Sequence, residues 1–398
     1  MLVGIVGKPS CGKSTFFKAA TLMDVLIAAY PFATIKPNTG IGYVRVNCLC
    51  KEFNTKCNPR TGSCNGELRF VPVELMDVAG LVEGASEGRG LGNQFLNDLS
   101  RADAFIHIVD VSATTDAEGK ECTPDKGNPI KDIAMLENEL DLWYLGILNK
   151  VWGPLIRKLA IEKTDLAKAV SKQFSGLNVA EDDVKAVIRR LNLDPEKATS
   201  WTNEQLRGFA HEIRHSTKPM IIAANKIDKP SGIEWYNKIK AEFPSLLIIP
   251  CSSDSELSLR QAAKAGMIDY TPGEKDFKLH EDKLNDKQKE ALKSIKENVL
   301  VKYEFGTGVQ EILDETVFKL LKYIAVFPAG AHKLADSKGN ILPDCFLVPH
   351  GTTALDFAFK LHTDIGNNFV KAINAKSKQA VGKDHVLQHR DGIEIITR

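Results

Sequence analysis

The chain has 398 residues, of which 43% are hydrophobic and 26% charged, and its formal net charge is +1. This length predicts two or three domains of about 150 residues each, with a composition typical of globular proteins. No run of eighteen apolar residues occurs, so we expect no membrane span, and the balanced charge gives no argument for a nucleic-acid partner. Eight cysteines do not suggest a disulfide framework, and Met1 leads directly into a strand pattern. We therefore expect a reduced cytoplasmic protein without a signal peptide or a membrane partner.

The first predicted element is a phosphate-binding loop between a buried strand and a helix. Residues 2–6 form an apolar run, and residues 7–15 (GKPSCGKST) match the pattern G-x-x-x-x-G-K-[ST]. Glycines in such a loop let successive backbone N–H groups point at phosphate oxygens, next to the positive end of the helix. Lys13 would reach the β- and γ-phosphates, and the Ser14 hydroxyl would hold Mg²⁺. We expect nucleotide contacts from Gly7, Lys8, Pro9, Ser10, Cys11, Gly12, Lys13, Ser14 and Thr15.

Two later stretches have the character of nucleotide-sensing switches. Thr34 follows Ser14 by twenty residues, and a mobile loop of that length can bring its hydroxyl to Mg²⁺ and its N–H to the γ-phosphate. Residues 73–80 (VELMDVAG) predict a strand followed by D-x-x-G, in which Asp77 would hold Mg²⁺ through water and the Gly80 N–H would sense the γ-phosphate. We expect catalytic roles for Lys13, Thr34 and Gly80, and Mg²⁺ ligation by Ser14, Thr34 and Asp77.

The stretch at residues 225–228 (NKID) predicts recognition of guanine. The Asp228 carboxylate can accept hydrogen bonds from N1–H and the exocyclic amine of guanine, whereas adenine presents an acceptor at N1. A site built on such paired polar groups discriminates by about 10⁴-fold or more. Asn225 would contact N7 and the phosphate loop, and the Lys226 stem would cover the base. Residues 251–253 (CSS) follow the next strand, and the backbone of Ser252 and Ser253 would meet the guanine O6.

Four cysteines lie within seventeen residues between two predicted strands, at Cys48, Cys50, Cys57 and Cys64. Four thiolates at a hairpin tip could bind zinc in a closed tetrahedral site. The spacing is not a standard zinc-finger pattern, so four reduced thiols on a polar loop are the alternative.

The rest of the chain indicates how the domains are arranged. Residues 115–215 contain helical patterns where a compact nucleotide domain needs a single helix, which predicts an inserted helical subdomain. We assign residues 1–114 and 216–275 to a G domain with a mostly parallel sheet and helices on both faces. Residues 276–322 form a predicted helical connector, and residues 323–398 form a small α+β domain.

Together these motifs resemble the P-loop GTPases, and two longer stretches resemble one branch of them. Residues 77–95 (DVAGLVEGASEGRGLGNQF) are similar to the second switch of the Obg superfamily, in particular its YchF-like branch, and residues 30–38 fit the same branch. Residues 342–358 and 362–366 resemble a TGS domain, a ubiquitin-like β-grasp module linked with RNA and ribosome binding. The cysteine loop suggests a cysteine-bearing, archaeal/eukaryotic-type sub-branch.

The resemblance implies a GTPase switch that acts on the ribosome or its RNA, with GTP or GDP and Mg²⁺ bound. ATP-preferring YchF proteins lack the N-K-x-D aspartate that this chain has at Asp228, and Ser10 replaces the asparagine associated with potassium-stimulated hydrolysis. Two alternatives stay open, a YchF-like ATPase and a nucleotide-gated binding module with negligible turnover. Leu81 stands where Ras-like enzymes have the water-orienting glutamine, so we expect slow intrinsic hydrolysis. For Arg89 we expect a solvated surface arginine, and an internal arginine finger is the alternative.

Overall fold

We describe a computed structural model of the chain. It describes residues 1–23, 38–81, 83–84, 98–124, 126–162, 165–330, 334–336 and 338–398. Thr34 and Arg89 lie outside the described residues. The described chain divides into two compact units, of which the first contains Met1–Gly40 and Glu74–Ile312, and the second contains Ile41–Val73 and Leu313–Arg398.

The strands are β1 (Leu2–Val6), β2 (Asn38–Asn47), β3 (Ser63–Cys64), β4 (Leu68–Asp77), β5 (Ala104–Asp110), β6 (Met220–Asn225), β7 (Leu247–Cys251), β8 (Ile268–Asp269), β9 (Lys278–Leu279), β10 (Tyr323–Pro328), β11 (Phe346–Pro349), β12 (Phe369–Asn374), β13 (Ala380–Val381) and β14 (Asp391–Thr397). The principal helices are α1 (Lys13–Thr21), α2 (Leu49–Glu52), α3 (Pro129–Glu162), α4 (Leu166–Gln173), α5 (Glu181–Arg190), α6 (Asn203–Thr217), α7 (Gly232–Glu242), α8 (Ser253–Lys264), α9 (Asp286–Ile295), α10 (Val309–Glu315), α11 (Ala354–Leu361) and α12 (Thr363–Asn367).

The first unit is built on a parallel sheet. Its strands follow the order β4-β1-β5-β6-β7, and every neighbouring pair is parallel. All residues of β1, β5 and β6 are buried, as expected for parallel strands covered on both faces. Because parallel strands end at the same edge, the loops after β1, β4, β5, β6 and β7 meet there.

A helical subdomain follows β5, as the sequence predicted. Helices α3 to α6 enclose their own apolar core, which includes Tyr144, Phe174, Trp201 and Phe209. Asp165 caps α4, and Thr202 and Gln205 form a reciprocal capping box at the start of α6. The small antiparallel pair β8-β9, which the sequence analysis did not predict, packs with α8 and α9 around Leu259 and Leu292.

The second unit combines the C-terminal residues with the segment between β2 and β4. Its main sheet has the order β11-β10-β14-β12-β13, in which β10 and β14 are parallel and the other pairs are antiparallel. Helix α11 packs on this sheet through Phe357 in a core that also contains Val326 and Ile393. The predicted fold class is therefore confirmed: an α/β P-loop G domain with a parallel sheet, an inserted helical region and a C-terminal β-grasp sheet. Among the described residues, no helix is both long and apolar enough to cross a lipid bilayer.

Candidate functional site

The candidate nucleotide site lies at the carboxyl edge of the parallel sheet, where the predicted motifs converge. The phosphate loop follows β1, Asp77 ends β4, Asp110 ends β5, and Asn225 ends β6. Ser252 and Ser253 follow β7. A single sheet edge therefore carries all the described parts of the predicted site, as in other open α/β folds.

The phosphate loop has the backbone conformation that its glycines permit. Gly7 and Gly12 have φ angles of 145° and 103°, and Ser10 between them has a φ of 58°. A Cβ at Gly12 would lie 2.3 Å from Asn225 Nδ2, and a Cβ at Gly7 would lie 2.5 Å from the Ile108 carbonyl oxygen. Both positions therefore require glycine for conformation and for space.

The two lysines of the loop point to different partners. Lys13 Nζ donates to the Lys8 carbonyl oxygen at 2.8 Å, so its ammonium group lies across the loop. Lys8 is 2% exposed, and its Nζ donates to the Thr115 carbonyl oxygen at 2.8 Å and pairs with Asp132 Oδ2 at 2.8 Å. The Lys8 side chain thus connects the loop to the segment after β5. The predicted phosphate contact of Lys8 would therefore come from its backbone N–H.

Ser14 and Asp77 form the arrangement expected of a magnesium site. Ser14 Oγ donates to Asp77 Oδ2 at 2.7 Å, and within the described residues the buried Asp77 Oδ1 has no hydrogen-bond partner. Burial raises the pKa of Asp77, while the Lys13 charge and the Ser14 hydrogen bond lower it. A buried carboxylate oxygen without a partner fits the hard oxygen ligand that Mg²⁺ prefers. Thr34, the third expected ligand, lies outside the described residues.

The start of the second switch packs directly on the phosphate loop. A Cβ at Gly80 would lie 2.8 Å from Pro9 Cγ, and the Leu81 N–H donates to the Gly7 carbonyl oxygen at 3.2 Å. Leu81 itself is 1% exposed and belongs to the core of the first unit. Three residues on, the Gly84 N–H donates to the buried Glu139 carboxylate of α3 at 2.7 Å. Helix α3 therefore anchors the described end of this switch.

The predicted base-recognition residues are connected to the phosphate loop by Asn225. Its Nδ2 donates to the Cys11 carbonyl oxygen at 2.9 Å, and its Oδ1 accepts from the N–H of Ser253 at 3.0 Å. Lys226 Nζ pairs with Asp110 Oδ2 at 2.7 Å. Ser252 Oγ donates to Asp228 Oδ1 at 2.8 Å, which orients the carboxylate.

A cavity of about 480 Å³ opens beside these residues, a size within the usual range for small-molecule sites. Gly12 and Thr15 of the phosphate loop line it together with Asn225, Lys226 and Asp228. The cavity therefore connects the phosphate loop with the N-K-I-D stretch.

Part of the cavity wall comes from the loop after β5, which no sequence motif predicted. Ser112, Thr114 and Pro124 line the cavity. Asp110 holds the loop through the Thr115 hydroxyl at 2.9 Å and the Ser112 N–H at 3.0 Å. This loop has no recognised motif, so the only signal in the sequence was its position after a buried strand at the active edge.

The four predicted zinc-binding cysteines meet in the second unit. Cys48 Sγ lies 3.8 Å from Cys57 Sγ, and Cys50 Sγ lies 3.8 Å from Cys64 Sγ. All four sulfur atoms are within 4.8 Å of one another, and three of the cysteines are buried. A tetrahedron with zinc–sulfur bonds of about 2.3 Å has edges of about 3.8 Å. The thiol set and its spacing therefore fit zinc.

Three protein-family models match the chain in succession. Residues 2–139 match the 50S ribosome-binding GTPase model. Residues 223–330 match the G4 motif-containing domain of the Obg-like GTPase YGR210-like family, and residues 331–397 match the TGS domain.

Curated relatives extend over most of the chain. The GTP-binding protein MJ1332 of Methanocaldococcus jannaschii is 47% identical over 100% of this chain and 99% of its own length. The GTP-binding protein C428.15 of Schizosaccharomyces pombe is 38% identical over 89% of this chain and 88% of its own length. The ribosome-binding ATPase YchF of Buchnera aphidicola is 28% identical over 93% of this chain and 86% of its own length. The crystal structure of a GTP binding protein from Pyrococcus horikoshii is 39% identical, covers both chains completely and superimposes with a TM-score of 0.80.

Proposed function

This chain is a GTP-binding protein that belongs to the YchF-like branch of the Obg-like P-loop GTPases, and we propose that it hydrolyses GTP slowly, with Mg²⁺, as a switch on the ribosome or its RNA. The observation that carries the nucleotide assignment is the position of Asp228, which Ser252 holds at the wall of a cavity that continues to the phosphate loop. A carboxylate fixed there accepts the two donors on the Watson–Crick edge of guanine, whereas adenine would leave it unpaired.

Competition binding tests this assignment. In this experiment, fluorescent GDP is bound to the purified protein with Mg²⁺, and increasing concentrations of GTP, GDP or ATP are added to displace it. We expect GTP and GDP to compete at concentrations at least a thousandfold below ATP, since paired polar groups give discrimination of about 10⁴-fold. Equal competition by ATP would instead support an ATPase, which is the activity that the name of the Buchnera relative states.

The proposed hydrolysis uses charge neutralisation more than water positioning. Lys13, Gly80 and Thr34 would contact the γ-phosphate, and Ser14, Thr34 and Asp77 would hold Mg²⁺, which neutralises charge on the transferring phosphoryl group. The residue that follows the D-x-x-G glycine is Leu81, whose buried side chain cannot orient water. We therefore propose a slow basal rate and stimulation by a partner that acts on residues 81–92.

Single-turnover hydrolysis with and without ribosomes tests this mechanism. Stimulation by ribosomes supports the switch, and the absence of turnover under both conditions supports a nucleotide-gated binding module instead. A collapse of the rate in Arg89→Ala would identify Arg89 as an internal arginine finger, which supplies about 10³–10⁵-fold in related systems.

The distribution of charge supports an RNA or ribosome partner for the second unit. Residues 41–73 and 313–398 contain sixteen Lys and Arg against eleven Asp and Glu, a formal charge of +5. The remaining residues contain thirty-six against forty, a formal charge of −4. Residues 41–73 contribute +3 of this charge and the matched TGS residues 331–397 contribute +1. Cationic surfaces supply most of the sequence-independent affinity for nucleic acid.

Charge reversal tests this partner without removing a folded domain. Lys371 and Lys383 are exposed on the second unit, whereas Lys168 and Lys172 are exposed on the helical subdomain. We expect Lys371→Glu with Lys383→Glu to weaken co-sedimentation with ribosomes and its salt dependence, and the same change at Lys168 and Lys172 to have little effect. Equal effects of the two double variants would contradict a specific role of the second unit.

Three further assignments complete the proposal. We propose that Cys48, Cys50, Cys57 and Cys64 bind one zinc ion as a closed structural site. We propose a cytoplasmic location, which suits the ribosome partner. The domain boundaries are proposed as residues 1–114 and 216–275 for the G domain, 115–215 for the helical subdomain, 276–322 for the connector and 323–398 for the TGS domain, except that residues 41–73 group with the C-terminal sheet.

A further inference from the structure

Arg69 is a buried cation whose charge has no carboxylate partner among the described residues. It is 1% exposed, and its Nη1 donates to the Leu342 carbonyl oxygen at 3.1 Å and lies 3.8 Å from Cys57 Sγ. Its Nη2 donates to the Pro343 carbonyl oxygen at 2.8 Å. A buried guanidinium is costly unless a negative group compensates it.

A zinc ion bound by four thiolates supplies that negative charge. Four thiolates and one Zn²⁺ have a formal charge of −2, and Cys57 Sγ is the member of the cluster that Arg69 contacts. The Gly66 N–H also donates to Cys64 Sγ at 3.4 Å, as backbone donors commonly do around metal-bound sulfur. The buried arginine is thus a second observation, independent of the sulfur spacing, that points to a metal-thiolate centre.

The same arginine joins the cysteine hairpin to the C-terminal part of the second unit. The Asn58 N–H donates to the Ile341 carbonyl oxygen at 2.8 Å, and the Arg60 N–H donates to the Pro343 carbonyl oxygen at 3.0 Å. The Arg60 guanidinium pairs with Asp344 at 3.0 Å and with Asp336. Residues 58–60 and residues 341–344 therefore form a continuous polar contact with Arg69 at its buried end.

We propose that the zinc centre and Arg69 act as a clasp that holds the hairpin between β2 and β4 on residues 341–344. Arg69 is a positioning residue that compensates the charge of the zinc-thiolate centre on one side and binds the two carbonyl groups on the other. By chain connectivity, β2 follows the first-switch segment and β4 ends at Asp77. The contact between the hairpin and residues 341–344 would therefore depend on bound zinc. This hairpin connects the two predicted switch regions. This inference rests on the zinc site proposed above.

Metal analysis combined with amide hydrogen exchange tests the clasp in the full-length protein. Protein purified without chelator should contain one zinc per chain, and Cys64→Ser should lose it, whereas Cys122→Ser in the first unit should retain it. Chelation of the wild-type protein should accelerate exchange at the amides of Asn58 and Arg60, and returning zinc should restore protection. GTP affinity, measured on the same samples, reports separately on the proposed nucleotide function.

Arg69→Gln distinguishes the clasp from an isolated zinc site. We expect it to lower zinc affinity by about 10- to 100-fold and to accelerate exchange at residues 58–60, as loss of an outer-shell partner does. Arg45→Gln is the control, because Arg45 belongs to the same unit but pairs with Asp314 at 2.7 Å. Protein that contains no zinc and has disulfides between Cys48 and Cys57 or between Cys50 and Cys64 would overturn the proposal. Unchanged exchange in chelated wild-type protein would also overturn it.

Discussion

At the residue scale, the side chain that follows Gly80 is apolar and buried. Leu81 is 1% exposed in the core of the first unit, and its N–H donates to the Gly7 carbonyl oxygen. Its position is therefore fixed by packing and by one backbone hydrogen bond to the phosphate loop. The side chain contributes to the core, but it has no donor or acceptor that could form a hydrogen bond with an attacking water.

Leu81→Ala should therefore reduce stability without affecting the chemical step. We expect a loss of about 2–5 kcal/mol in the free energy of unfolding, as for other buried leucines, measured by urea denaturation. Leu81→Met preserves most of the volume and should lose less than about 1.5 kcal/mol. Hydrolysis per folded molecule should change little in either variant, and fast basal turnover that collapses in Leu81→Ala would contradict this view of the mechanism.

The positions of some single residues could be predicted from sequence, whereas the contacts of others could not. Asn225, Lys226 and Asp228 are nearly contiguous, so their motif predicted that they would line one site, and all three line the same cavity. The Lys8 side chain, by contrast, finds its partners at Thr115 and Asp132, more than a hundred residues away. A local pattern that predicts a phosphate contact for a loop residue cannot show that its side chain points elsewhere.

At the scale of elements, the loop after β5 is an unpredicted wall of the candidate nucleotide site. Gly119 in this loop has a φ of 79°, and a Cβ there would lie 2.6 Å from Pro9 Cβ and 2.7 Å from the Pro9 carbonyl oxygen. The loop therefore packs on the phosphate loop closely enough to require glycine.

Gly119→Ala should displace the phosphate loop and weaken nucleotide binding. We expect GTP affinity to fall by about tenfold or more, measured by isothermal titration calorimetry, because both the backbone conformation and the contact with Pro9 become strained. Gly153→Ala is the control, since a Cβ at that helical position meets no atom of the described residues within 4 Å. Unchanged affinity in Gly119→Ala would show that the loop yields without affecting the site.

The helical subdomain contains an acid-sensitive ion pair between α3 and α6. Burial alone would raise the pKa of Glu137, but hydrogen bonds from His215 and Arg214 and the Arg214 charge lower it to about 2, from an ordinary value of 4.5. Because the folded state binds this proton less readily than the unfolded state, the pair stabilises the fold above about pH 4.5. That stability is lost as the pH falls toward 2.

Glu137→Gln should therefore flatten the acid limb of the stability profile. We expect it to lower the free energy of unfolding at pH 7 by up to about 3 kcal/mol and to reduce the further loss between pH 5 and pH 3. Glu181→Gln, which breaks an exposed pair with Lys185, should change both little, because solvent screens the pair. Chemical denaturation at several pH values measures both variants, and parallel profiles for Glu137→Gln and the wild-type protein would refute this role.

Long periodic elements were predictable, whereas short strands were not. The helical patterns in residues 115–215 predicted a helical subdomain, and α3 to α6 lie in this range apart from the last two residues of α6. The two-residue strands β8, β9 and β13 exist only through pairing with a neighbouring strand. No local pattern of residues identifies such an element, because the partner determines it.

At the scale of the whole molecule, the grouping of residues 41–73 with the C-terminal sheet was not evident from sequence. Chain order places these residues between two strands of the predicted G domain, and we assigned them there. The contacts of the second unit include the buried Leu49 beside Gly392, where a Cβ would lie 3.1 Å from Leu49 Cδ1. Arg390 Nε also donates to the Asn47 carbonyl oxygen at 2.8 Å.

This grouping changes how a truncation should behave. Removing residues 323–398 would expose Leu49 and leave Arg69 without its two carbonyl partners. We expect the truncated protein to lose zinc and to aggregate in size-exclusion chromatography, whereas the charge-reversal variants at Lys371 and Lys383 should remain monodisperse. A truncated protein that retains zinc and elutes as a single symmetric species would contradict the shared core of the second unit.

The most direct test of the central claim is nucleotide selectivity in Asp228→Asn. The side-chain amide of this variant would donate where the carboxylate accepts, so the site should favour xanthine, whose C2 carbonyl replaces the guanine amine. Affinities for GTP, XTP and ATP are measured for the wild-type protein, for Asp228→Asn and for Asp254→Asn, a neighbouring acid that lines the same cavity. We predict that wild-type protein and Asp254→Asn prefer GTP, and that Asp228→Asn loses at least about 100-fold in GTP affinity and gains affinity for XTP. Wild-type protein that binds ATP as tightly as GTP, or an Asp228→Asn variant with unchanged GTP affinity, would contradict the assignment of this cavity as a guanine site.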